Sequence, residues 1–174
     1  MDIQSVYKDI LEDLKLGGRA LRRLNSTELK ELETHLNEEK DPERLKEILC
    51  IVEHSASFHP PFEPILLKLL HQESDPEILV FALNAARKHI LASHQQQGKR
   101  VEFSFLEVLQ KLLYSKSPEV VEWTLRTIEE MGAQGIFFKK DLNNIKPAPW
   151  KWFNEHQRSV REIIAMLEHR WSEK

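Results

Sequence analysis

Three segments of the chain align on a proline and repeat one another: KDPERLKEILCIV, SDPEILVFALNAA and KSPEVVEWTLRTI. Each opens with a short polar residue, Asp41, Asp75 or Ser117, followed by Pro42, Pro76 or Pro118 and then a glutamate. A proline in the first helical turn costs no hydrogen bond, because its absent N–H had no acceptor within the helix, and the residue before it can cap with a side-chain oxygen. Apolar residues then fall at common offsets. Leu45, Leu79 and Val121 stand three residues past the proline, Leu49, Leu83 and Leu125 seven past, and Val52, Ala86 and Ile128 ten past. This is the spacing of one helical face. A shorter amphipathic stretch precedes each segment, with Leu32, Leu66 and Val108 in register, and likewise Leu36, Leu70 and Leu112. A helix pair of this size cannot bury its apolar stripe alone, so its neighbours must stack on it.

The remaining punctuation agrees with an all-helical chain. Gly17, Gly18, Gly98, Gly132 and Gly135 follow periodic stretches, where a left-handed helix terminus is easiest. Asn25, with Glu28 three residues on, predicts a capping box. Apolar spacing predicts a helix over about 2–15, a second one opened at Asn25 with Leu29, Leu32 and Leu36 inward, and others over about 42–56, 61–73, 76–93, 103–115, 118–131, 136–145 and 150–171. His94–Arg100, with three Gln and a Gly, reads as the one long loop. No alternating strand pattern of useful length intervenes. The expected fold is all-α, one domain over 1–174, with 1–25 as an N-terminal cap, 26–132 as the repeats, and 133–174 as a degenerate repeat and C-terminal cap.

The helix–(Asp)-Pro-Glu–helix unit resembles the HEAT-like, armadillo-type repeats of the α-solenoid superfamily. The resemblance covers residues 26–132, with Pro-to-Pro spacings of 34 and 42 residues. It departs from the common pattern at Lys46, Val80 and Glu122, where an Arg often follows the turn. It implies a right-handed stack of hairpins whose second helices line a concave face.

Composition narrows the functional classes. The chain has 174 residues, a net charge of −3 and a single cysteine, Cys50, which excludes an intramolecular disulfide. The opening MDIQSVYKDILEDL has acids where a secretory leader carries Lys or Arg, and no apolar run nears the roughly 18 residues that span a bilayer. The expected localisation is cytoplasmic, with no membrane span. Eight histidines are scattered without CxxC, HxxxH or HExxH spacing, so they read as solvated residues rather than metal ligands. Cys50 and His54 stand one turn apart, but beside Glu53 rather than a cation that would activate the thiol. With no nucleophile elbow and no phosphate-cradling Gly loop, the chain reads as a non-enzyme without cofactor or metal. His35, His54 and Asp141 are its weak catalytic candidates.

Charge bears on nucleic acid. Residues 26–132 hold 12 Lys and Arg against 19 acids, while the flanks 1–25 and 133–174 are net +1 and +3. The basic residues therefore lie at both ends of an acidic centre rather than on one face. The HEAT-like resemblance extends to the alkylpurine DNA glycosylases, which hold DNA with aromatics and an Asp on a concave face. Trp123, Trp150, Trp152 and Asp141 would serve here, against the acidic centre.

The expected role is a non-catalytic adaptor that binds a protein segment on its concave face, as a monomer or weak homodimer. On a helical wheel, offsets 4, 5, 8, 11 and 12 turn away from the core. In the first repeat these are Lys46, Glu47, Cys50, Glu53 and His54, an ordinary solvated face. In the second they are Val80, Phe81, Asn84, Arg87 and Lys88, and in the third Glu122, Trp123, Arg126, Glu129 and Glu130. The expected contact residues are Val80, Phe81, Asn84, Arg87, Trp123 and Arg126, since aromatics with Arg neighbours commonly anchor interfaces. Phe81 and Trp123 are read either as partner-facing or as core. Arg19, Arg22 and Arg23 form a possible basic corner for an acidic partner or anionic lipid. The stripe Phe153, Val160, Ile164, Leu167 and Trp171 reads as a capping helix.

Overall fold

Asp41, Asp75 and Ser117 each cap the helix that follows, accepting backbone N–H groups of Arg44, of Glu77 and Ile78, and of Val120, with Pro in the first turn. These start α3 (Pro42–His54), α5 (Pro76–Ala86) and α8 (Pro118–Glu130). Asn25 and Glu28 form the expected capping box and open α2 (Ser26–Glu38). The other α-helices are α1 (Ile3–Lys15), α4 (Phe62–Gln72), α6 (Ser93–Gln96), α7 (Phe103–Leu112), α9 (Lys139–Ile145) and α10 (Glu155–Ser172). The structure, a computed structural model, describes residues 1–18, 20–146 and 154–172. Over these the chain is all-helical, apart from one isolated parallel bridge between Arg22 and Ser55. Alanine at Asp41 or Asp75 is expected to cost about 1 kcal/mol, and at Ser117 no more, as measured by urea unfolding.

Every shared offset of the three Pro-led helices is buried. Leu45, Leu79 and Val121, Leu49, Leu83 and Leu125, and Val52, Ala86 and Ile128 all lie in the core. So do the paired positions of the preceding helices: Leu32, Leu66 and Val108, and Leu36, Leu70 and Leu112. The repeat read from spacing is thus a repeat of burial.

The chain divides into two compact units, Met1–Gly98 and Lys99–Lys174. In the first, α3 packs against α1, α2 and α5, and α4 packs against α5. Its salt links include Lys46 Nζ, 2.7 Å from Glu77 of α5 and 2.6 Å from Glu43. In the second, α8 is the central element and packs against α7 and α10. The apolar stripe of α10 is buried at Val160, Ile164, Leu167 and Trp171, while Phe153 lies outside the described residues.

The structure departs from the sequence-based expectations at four places. The helix from Pro76 runs on to Gln96 through a π-helical segment, Arg87–Ala92, so His94–Gln96 are helical rather than loop. The first-repeat face is not a solvated one. α1 lies on α3 and Cys50 is buried, with Lys46, Glu47, Glu53 and His54 half-buried. The stretch before α9 is a 3-10 segment, Gly132–Phe138, rather than the start of an α-helix at 136. Finally, Gly17, Gly98 and Gly132 take positive φ as expected of helix ends, but Gly135 is buried for a different reason. A Cβ there would stand 2.8 Å from the Ile128 carbonyl oxygen, closer than a Cβ approaches another heavy atom.

Candidate interaction surface

The second unit carries the more developed of the two expected contact sets. Position 122 is one turn before Arg126 on α8, and the i,i+4 relation lets their side chains meet. Arg126 donates from Nε and Nη2 to Glu122 Oε1, at 3.0 and 2.6 Å. The other carboxylate oxygen accepts from His156 Nδ1 of α10 at 2.7 Å, which assigns the Nδ1–H form to that imidazole. Glu122 is therefore buried, not turned outward as its offset suggested, and each of its oxygens is engaged. Arg126 keeps 42% of its side chain exposed. Its guanidinium carbon lies 5.6 Å from the ring centroid of Trp123, within cation–π range, and Trp123 is half-buried.

This arrangement presents a positioned cation beside an aromatic face. Glu122 fixes the guanidinium, and His156 fixes Glu122, so little rotamer entropy is left for Arg126 to lose on binding. Between α8 and α10 the same arginine borders a cleft of ≈ 280 Å³ lined by Arg126, Glu129, Ser159, Glu162, Ile163 and Met166. Met166 is exposed there.

The expected contact residues of the first unit form a plainer surface. Val80, Phe81, Asn84 and Arg87 are all half-buried on α5 and the start of the π segment. Arg87 Nη1 donates to Asn84 Oδ1 at 3.4 Å. Behind them lies a charged cluster. Lys88 Nζ donates to the Glu53 carbonyl at 2.9 Å. Burial raises the Glu53 carboxyl above its ordinary value, against the pull of His54, Arg87 and Lys88. Burial likewise lowers the Lys88 ammonium.

The basic corner is only partly free. Arg22 donates to Asp13 at 2.7 Å, and its backbone pairs with His54 and Ala56, at 2.7 and 2.6 Å. Arg23 is exposed, and Arg19 lies outside the described residues.

Two of the candidates for chemistry, His54 and Asp141, are held by structural bonds. The Cys50 thiol is pushed up to about 12, mainly by burial and then by the Glu53 charge. His54 Nδ1 is 2.9 Å from the Cys50 carbonyl and donates to it, so that nitrogen has no lone pair for the thiol 3.7 Å away. Asp141 is buried, and its two oxygens accept from Gln110 at 3.0 Å and from the Tyr114 hydroxyl at 2.8 Å. Trp150 and Trp152 lie outside the described residues. No cluster of three or more His, Cys, Asp or Glu is placed to hold a metal among the described residues. Nor is any helix there long and apolar enough to cross a membrane.

One histidine overturns the expectation of scattered, solvated imidazoles. His89, in the π segment, is 2% exposed. Its Nε2 lies 2.8 Å from the Val52 carbonyl and donates to it, and its Nδ1 accepts from the His59 N–H at 3.3 Å. Ser55 Oγ is 3.2 Å from Nε2, but that nitrogen holds the proton, so the pair is no nucleophile and base. The rings of Phe62 and Phe58 stand edge-on to it at 4.9 and 6.4 Å. Two further histidines meet carboxylates: His59 meets Glu33 at 3.0 Å, and His94 meets Glu63 at 3.2 Å. The signal for His89 in the sequence is slight: it follows Arg87 and Lys88 and is itself followed by the apolar run Ile90-Leu91-Ala92.

No protein-family model, curated protein or solved structure significantly matches the chain.

Proposed function

We propose that the chain is a non-catalytic interaction module built of HEAT-like helical hairpins, and that it binds a protein segment through the outward flanks of its Pro-led helices. The observation that carries this reading is the Glu122–Arg126–Trp123 arrangement on α8. It is an aromatic face with a guanidinium held 5.6 Å from its centroid, beside a cleft that exposes Met166. Aromatic and Arg side chains with fixed rotamers are the groups that dominate binding energy at protein interfaces. The fitting ligand is a segment with an apolar side chain for the Ile163–Met166 wall and a group that stacks on Trp123. On the first unit, Val80, Phe81, Asn84 and Arg87 are the proposed second contact set.

The test is to select peptides from a random display library on the full chain and measure their affinity for variants. Trp123→Ala is expected to weaken binding by about 2 kcal/mol, roughly thirtyfold, with unchanged helical ellipticity. Phe81→Ala is expected to weaken peptides that engage the first unit. Selected peptides indifferent to both substitutions would remove the proposal. A companion capture from lysate separates the nucleic-acid reading, which predicts retention that vanishes on nuclease treatment.

A further inference from the structure

A second surface, in the unit Lys99–Lys174, has a different chemistry. Phe103, Ile136 and Phe137 are exposed by 60%, 49% and 40%. Phe103 and Phe137 form one patch, their rings packing edge to face with centroids 6.0 Å apart, and Ile136 directly precedes Phe137. Phe137 in turn stands 5.0 Å from the fully buried Phe138, which anchors the patch in the core. The two segments that carry it are bonded to each other. The Gln134 side chain accepts from the Val101 N–H at 3.2 Å and donates to the Val101 carbonyl at 3.0 Å.

Cations flank the patch in sequence on both segments. Lys99 and Arg100 directly precede Val101, and Lys139 and Lys140 directly follow Phe138; all four are exposed. Two exposed acids lie near the patch, Glu102 and, one turn along α7 from Phe103, Glu107, against these four cations; none occurs within 132–140. The local charge is thus positive in a chain whose net charge is −3. Soluble surfaces rarely hold large apolar side chains together without a use for them.

We propose that this patch docks on an anionic lipid surface, with Phe103, Ile136 and Phe137 entering the interfacial layer and Lys99, Lys139 and Lys140 meeting lipid phosphates. The charge complementarity is that of interfacial anchors, in which aromatic and aliphatic side chains pair with basic ones at headgroup level. Three aromatic or aliphatic side chains and a few cations make the attachment weak and reversible, and dependent on anionic lipid.

The experiment is cosedimentation of the full chain with vesicles of phosphatidylcholine alone and of phosphatidylcholine with 30 mol% phosphatidylserine, a fraction chosen to be roughly that of an anionic leaflet. Binding is expected only to the anionic vesicles and is expected to fall in high salt. Lys139→Glu with Lys140→Glu, both on exposed positions, is expected to weaken it at least about tenfold. Phe103→Ser with Ile136→Ser, which spares the core contact of Phe137, is expected to weaken it comparably, with ellipticity checked for each variant. Absence of binding to the anionic vesicles overturns the proposal, as does equal binding to neutral ones. A dimer in analytical ultracentrifugation that the Phe103/Ile136 variant dissociates, without vesicle binding, would assign the patch to self-association instead.

Discussion

Leu49→Ala, Leu83→Ala and Leu125→Ala are each expected to lower stability by about 2–5 kcal/mol, the cost of removing buried methyl groups and leaving a cavity behind. The three leucines occupy the same offset of α3, α5 and α8, and none has any exposed surface. Each lies on a helix against which at least two other helices pack, so the vacated space is bounded by more than one element. The two described tryptophans, Trp123 and Trp171, lie in the second unit, and the other two, at 150 and 152, lie between them in the sequence. Tryptophan fluorescence therefore reads that unit, whereas far-UV ellipticity reads both. Leu125→Ala is expected to move the fluorescence transition in urea, and Leu49→Ala and Leu83→Ala the ellipticity transition. A loss below about 1 kcal/mol at any of the three would show that the shared offset is not a shared core position.

Acidification is expected to destabilise the first unit through His89. Its imidazole is pushed from 6.5 down to about 4, first by burial and then by the neighbouring Lys88 and His59, against the favourable bond to the Val52 carbonyl. The folded chain therefore keeps His89 neutral where the unfolded chain protonates it. The stability this contributes is fully present above pH 6.5 and is lost as the pH falls towards 4. The slope approaches about 1.4 kcal/mol per pH unit, for a total of about 3 kcal/mol. Glu53 acts in the opposite sense. Its raised carboxyl binds a proton more readily in the folded state and offsets part of the loss near the acidic end of that window. Urea unfolding of wild type and His89→Gln between about pH 7 and 4.5 separates the two. The stability difference between them is expected to shrink as the pH falls, because glutamine retains a donor for Val52 but cannot titrate. A difference independent of pH would show that His89 protonates as easily in the folded chain as in the unfolded one.

The parts of the fold that depend on neighbouring residues are legible in the sequence. A capping oxygen, a first-turn proline and apolar residues at offsets 3, 7 and 10 act within one helix, and the structure places all of them as their chemistry requires. The outward offsets are harder to read, because a helical wheel states which residues avoid one face but not what covers the other. Cys50 sits on such a face and is buried because α1 lies on α3. Glu122 sits on another and is buried under Arg126 and His156, the latter 34 residues away in the chain. Val80, Phe81, Asn84, Arg87, Trp123 and Arg126 fall between core and solvent, a condition that periodicity cannot distinguish from either.

Local chemistry is thus enough to make this chain all-helical, to start its Pro-led helices at Pro42, Pro76 and Pro118, and to select which of their residues are core. Those outcomes follow from hydrogen bonds and side-chain directions set within a few residues. Packing between helices adds the rest: His89 turns into the core through a π-helical segment, Gly135 must lack a side chain against the Ile128 carbonyl, and Phe103 and Phe137 meet in one exposed patch. Each of these depends on atoms brought together from different helices, and no local preference encodes that meeting.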